Sequence, residues 1–135
     1  HRDPVETIPS LISLIAGVWV IYSDTADPKD AGEQWARKFS KGMRHTMALR
    51  ETMGSGQFLD LWFVDTVSQP LAEIEKVYQF LGMDLTEEAV REMVQWQDFN
   101  RRELRPAHEY TLEQFGLTEA GLQMQFEDYR HQFIL

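Results

Sequence analysis

From Ile8 to Tyr22 the chain is apolar on almost every side, interrupted only by Pro9, Ser10, Ser13 and Gly17 and closed by Ser23 and Asp24. The run is about fifteen residues, short of the roughly twenty that a membrane-spanning helix needs. A helix that is apolar all round must be covered by protein on most faces. The run therefore predicts a buried core helix and no transmembrane segment, and it requires the rest of the fold to enclose it. Pro9 removes one helical hydrogen bond at a cost of about 3 kcal/mol in a helix interior. Either the helix kinks there or its regular part begins near Thr7.

The remainder of the chain is long enough to provide that cover. Its 135 residues make one domain's worth, and 43% apolar and 12% aromatic residues suffice for a core. A net charge of −9 argues against a general nucleic-acid binder, which needs a surplus of Lys and Arg to neutralise phosphates. Any anion must be held by a local basic cluster. With no cysteine, disulfide and thiolate chemistry are excluded, which fits a reducing compartment and makes a cytoplasmic location the expectation. His1, His45, His108 and His131 show no metal-ligand spacing, so no metal site is expected.

The apolar run is preceded by a helix-start signal. Asp3 suits the N-cap, Pro4 the first helical position, and Glu6 completes a box-like start. Free backbone N–H groups, the positive end of the helix dipole and the Arg2 guanidinium would together favour an anion, with Ser10 close to the entrance. Two plainer readings stand beside this one: Arg-Asp-Pro also begins ordinary surface helices, and Ser10 can bond its own helix backbone. The chain starts at His1 without methionine and reads as part of something longer, the strand or loop that would feed Arg2 lying upstream.

Asp27-Pro28-Lys29-Asp30 repeats the start signal and opens a helix to about Met53. Trp35, Phe39, Met43 and Met47 form its core stripe, while Arg37, Lys41 and Arg44 form a solvated basic face. Gly54-Ser55-Gly56 ends it. Phe58 to Val64 is apolar on both parities apart from Asp60, the pattern of a strand covered on both faces. No second strand is evident. A lone strand cannot satisfy its own backbone, so its sheet partners must come from upstream chain or from another subunit, as in a homo-oligomer.

Pro70 begins a helix carrying Leu71, Ile74, Val77, Tyr78 and Leu81, stopped by Gly82. Thr86-Glu87-Glu88 opens another, continuing toward Asn100. The basic segment Arg101 to His108, broken by Pro106, has arginines able to reach a phosphate. Thr111-Leu112-Glu113-Gln114 is a capping box for a short turn ended by Gly116, and Thr118 caps a last helix with Leu122, Phe126, Tyr129 and Phe133 as its docking stripe. No Gly-rich phosphate loop, nucleophile elbow or acid–base carboxylate pair is present. Asp60 and Asp65 are the acids with a suggestive location, at the strand, where capping a turn is the simpler role.

Taken in order, these blocks resemble a known family. Arg2-Asp3-Pro4 with Ser10 eight residues after the arginine is similar to the segment of cytosolic-type and bacterial sulfotransferases that binds the 3′-phosphate of 3′-phosphoadenosine 5′-phosphosulfate (PAPS). Phe63-Val64-Asp65-Thr66-Val67-Ser68-Gln69-Pro70, with Val77-Tyr78-Gln79-Phe80-Leu81-Gly82, resembles the family's strand ending Tyr-Glu-Asp-Leu, its Pro-started helix and its Phe-Leu-Gly stop. His108, Tyr110, Phe115-Gly116-Leu117 and Tyr129 to Phe133 resemble the C-terminal region of bacterial and carbohydrate-type members.

The resemblance implies an α/β fold. The chain would be the mostly helical C-terminal part of a single P-loop-like sulfotransferase domain, with one central strand at about 58–64 and its sheet partners elsewhere. It implies PAPS as co-substrate, no metal, and transfer of a sulfuryl group to a hydroxyl or amine acceptor. Arg2 and Ser10 would bind the 3′-phosphate, and Arg101, Arg102, Arg105 and His108 lie where members close a loop over the nucleotide. Phe63 replaces the family's usual Tyr, and the phosphosulfate loop and catalytic base belong to upstream sequence. A helical nucleotide-binding or protein-interaction module without catalysis is the alternative reading.

Overall fold

The computed structural model describes residues 1–101 and 109–135. Seven α-helices are found among them: α1 Pro4–Tyr22, α2 Pro28–Thr52, α3 Phe63–Ser68, α4 Pro70–Leu81, α5 Glu87–Phe99, α6 Glu119–Gln125 and α7 Glu127–Phe133. Short 3₁₀ turns occupy Ser55–Gln57 and Glu113–Phe115. The chain divides into two compact units, residues 1–58 with 109–135, and residues 59–108.

The first unit is built on α1 and α2. Asp3 and Asp27 cap them, each carboxylate accepting the N–H two residues on (3.0 Å from Val5, 2.8 Å from Lys29), with proline at the first helical position in both. The core joins Ile8, Ile12 and Ala16 of α1 to Ala31 and Ala36 of α2, closed by Phe115, Leu122 and Phe126. Small residues set the distance at which α2 approaches the rest. A Cβ on Gly32 would stand 1.9 Å from the Phe115 carbonyl oxygen, so the helix lies directly on the 113–115 turn. Gly116, at φ 63°, ends that turn in the left-handed region that glycine adopts without cost. Ser40 is fully buried and donates to the Gln125 carbonyl at 2.9 Å, tying α2 to the end of α6. The stripe expected on α2, Trp35, Phe39 and Met43, packs against this core half-buried, because the small residues beside it make the closest contact.

Two expectations are corrected in this unit. The last helix is broken at Phe126, whose backbone (φ −114°, ψ 20°) ends α6 and begins α7. And α1 is covered on one face only: Ile8 and Ile12 are buried, whereas Leu14, Val20, Ile21 and Tyr22 are more than half exposed. With 19 residues and a mean hydropathy of 1.7 in its most apolar window, α1 is long and apolar enough to cross a membrane, and its N-terminal half is core.

In the second unit, α4 ends at Gly82 in the left-handed region (φ 65°), with the Met83 N–H reaching back to the Tyr78 carbonyl at 2.9 Å. Thr86 caps α5 by accepting the Ala89 N–H at 3.2 Å. Glu73 is buried and paired with Lys76, and this bond raises the Lys76 ammonium above its ordinary pKa. The strand expected at 58–64 is not formed, and no strand occurs among the described residues. The backbone is extended at Phe58 (φ −128°, ψ 134°) and Trp62 (φ −97°, ψ 136°), then turns helical at Phe63. A strand exists through its ladder, and no second segment among the described residues offers one. Asp65 accordingly sits in the first turn of α3, not at a strand end.

Candidate functional site

The entrance of α1 carries the residues singled out from the sequence, and it is held in place by α7. The Asp3 carboxylate, besides capping the Val5 N–H, is gripped by Arg130, with Nε at 3.0 and 3.1 Å from its two oxygens and a terminal guanidinium nitrogen at 3.0 Å. This fork-on-carboxylate arrangement is geometrically specific, and both side chains are largely shielded, at 16% and 19% exposure. Two residues earlier, the His1 ring stacks on Phe133 (centroids 3.9 Å apart, planes within 8°), and its Nδ1 lies 2.8 Å from the Tyr129 hydroxyl.

This anchoring consumes the backbone donors that an anion would use. Pro4 has none. The Val5 N–H goes to the Asp3 side chain, and the Glu6 and Thr7 N–H groups go to the Asp3 carbonyl at 3.1 and 3.2 Å. The expectation of free amides at this helix start is corrected: Asp3 satisfies the first turn from both its side chain and its main chain. What remains for an anion is side-chain chemistry and the helix dipole.

Glu6 and Ser10 are spaced by four on α1, which places them one above the other on a helix face, while Arg2 stands one residue before the N-cap. Ser10 is exposed, and the Arg2 Nε meets the Glu6 carboxylate at 3.2 Å, one turn below Ser10. A guanidinium and a hydroxyl are the kinds of group that bind a phosphate. Glu6, which holds Arg2, is 63% exposed. Sequence spacing had brought out Arg2 and Ser10 but not the carboxylate between them.

The other predicted contacts are placed differently. Arg101 belongs to the second unit, where its guanidinium pairs with Asp98 at 2.7 Å on the same turn of chain. Arg102, Arg105 and His108 lie outside the described residues. Among the described residues no three His, Cys, Asp or Glu side chains gather as metal ligands. Arg130, which positions the whole entrance, was missed. It is an arginine inside the aromatic stripe of Tyr129 and Phe133 with Glu127 and Asp128 beside it, and no spacing rule connects it to a residue 127 positions away.

A family model described as the sulfotransferase family matches residues 1–88. The crystal structure of the sulfotransferase STF9 from Mycobacterium avium is similar in fold, with a TM-score of 0.84 at 22% identity over the whole of this chain. The chain spans 35% of the length of that protein. No curated protein sequence matches it.

Proposed function

The chain belongs to the sulfotransferase family, and from that membership we propose that it forms the part of a PAPS-dependent sulfotransferase that holds the 3′-phosphate of the nucleotide. The complete domain is then P-loop-like, working in the cytoplasm on a hydroxyl or amine acceptor. The nucleotide supplies the sulfuryl group. This chain's contribution is to bind and orient: Arg2 provides the charge-assisted contact, Ser10 a hydroxyl within the first turns of α1, and the dipole of α1 a favourable field. The observation that carries the reading is a half-exposed Arg2 beside the entrance of α1 and an exposed Ser10 within its first turns, at an entrance clamped by Asp3 and Arg130. Fixing the entrance lets a phosphate meet a preorganised site, and positioning of this kind supplies much of the catalysis in group transfer.

In the complete protein, Arg2→Ala should weaken binding of adenosine 3′,5′-bisphosphate by about 1.5 to 3 kcal/mol, read by titration calorimetry. Unchanged affinity would sink the assignment. The Arg2–Glu6 pair favours a second reading, a module in which the carboxylate permanently occupies the arginine and the nucleotide is no longer bound. Glu6→Gln separates the two: tighter bisphosphate binding supports the phosphate site, and absence of binding in both forms supports the module.

A further inference from the structure

The second unit carries a concavity of about 510 Å³ between α4 and α5, within the range of small-molecule sites. Leu71 and Ile74 of α4 and Met93 of α5 are half-buried and give it an apolar lining, in which the Met93 side chain is adaptable. Trp96 borders the same space with 64% of its surface exposed. Among the described residues no other ring and no cation engages the Trp96 indole.

Among the described residues that line this space, Glu92 alone is ionised. No hydrogen bond or ion pair engages its carboxylate. On a helix the side chains in reach of residue 92 are those three and four positions away, here Glu88, Ala89, Gln95 and Trp96. None is a cation, and a tryptophan stands where a lysine or arginine would complete an i,i+4 pair. Glu73 in the same unit shows the opposite arrangement, buried and paired with Lys76 three residues on. The fold neutralises the one carboxylate and leaves the other open beside an apolar hollow and an indole face.

We propose that the concavity between α4 and α5 binds a small ring-bearing organic ammonium. Its apolar body leaves water against Leu71, Ile74 and Met93, its charge meets the Glu92 carboxylate, and the negative face of the Trp96 ring adds a cation–π attraction. A neutral apolar guest would strip water from Glu92 and return nothing, and an anion would be repelled. The lining runs from residue 70 to 74 on α4 and from 92 to 97 on α5, about 6 to 8 Å of helix at roughly 1.5 Å per residue. That length suits one ring-bearing molecule and falls short of the i to i+7 anchors of a docked amphipathic helix. The inference uses residues of the second unit alone and does not rest on the nucleotide reading.

The test is calorimetric titration of the complete polypeptide with 2-naphthylmethylammonium, beside the uncharged 2-naphthalenemethanol of the same shape. Saturable one-site binding of the ammonium is expected, tighter than that of the alcohol by about threefold or more. Glu92→Gln should bring the ammonium down to the affinity of the alcohol, and Trp96→Ala should weaken the ammonium by about threefold or more. Both side chains are exposed, so neither change threatens the fold. Absence of saturable binding, equal affinity for ammonium and alcohol in the parent, or unchanged ammonium affinity in either variant overturns the proposal. So does self-association of the parent that Trp96→Ala abolishes in sedimentation, which would make this face a contact between copies of the chain.

Discussion

The two ends of α1 have nearly the same apolar character and opposite fates. At the entrance, Ile8 and Ile12 are sealed against α2 and α6, and Asp3 is locked by Arg130. At the exit, Val20, Ile21 and Tyr22 are 58%, 73% and 84% exposed. Hydropathy does not distinguish the halves. What does is the presence of a partner shaped to meet them, since apolar area is stabilising only when something removes it from water. The helix is thus anchored at its entrance and bare at its exit, and its packing is concentrated at the end near Arg2 and Ser10.

This contrast can be broken most sharply by truncating matched residues. Ile12→Ala, at a position with no exposure, should cost about 2 to 5 kcal/mol, and Ile21→Ala no more than about 0.5 kcal/mol, in denaturant melts of the chain. Equal costs would mean that the exit packs as tightly as the entrance. The electrostatic clamp comes next. Arg130→Gln leaves the shielded Asp3 carboxylate without its fork and should lower stability by about 1.5 to 3 kcal/mol. In a double-mutant cycle with Asp3→Asn, a coupling near zero would show that the clamp adds nothing to the entrance. The smallest effect is a gain. Gly17→Ala, facing open space on the exit side, should stabilise the helix by about 0.5 to 1 kcal/mol, and a loss on calorimetric melting would reveal a neighbour pressed against that face.

Which parts were legible in the sequence follows from the range of the forces involved. Asp3, Asp27, Thr86 and Thr118 cap the helices they were expected to cap, and Gly82 and Gly116 end the elements they were expected to end. Each of these acts over at most four residues, so the local pattern contains the whole interaction. The segment at 58–64 failed for the complementary reason: its apolar character on both parities describes what could cover it, while a strand needs a ladder, which is a property of another segment. At the site, Arg2 and Ser10 were named from their spacing, and the structure puts them at the entrance of α1. The loss of the free amides was not, because Asp3 was credited with one capping bond and makes several. Phe126, apolar and on the expected face, gave no sign that its backbone would interrupt the final helix.

The clamp between Asp3 and Arg130 also sets an order of events. The helices of this chain close through contacts between near neighbours and can form early, but the entrance of α1 is completed by residues at the opposite end of the chain, with the loop-closure entropy that such separation demands. On a ribosome, residue 2 emerges long before residue 130. The entrance of α1 therefore becomes fully ordered only after the helix that carries Arg130 has been made and docked.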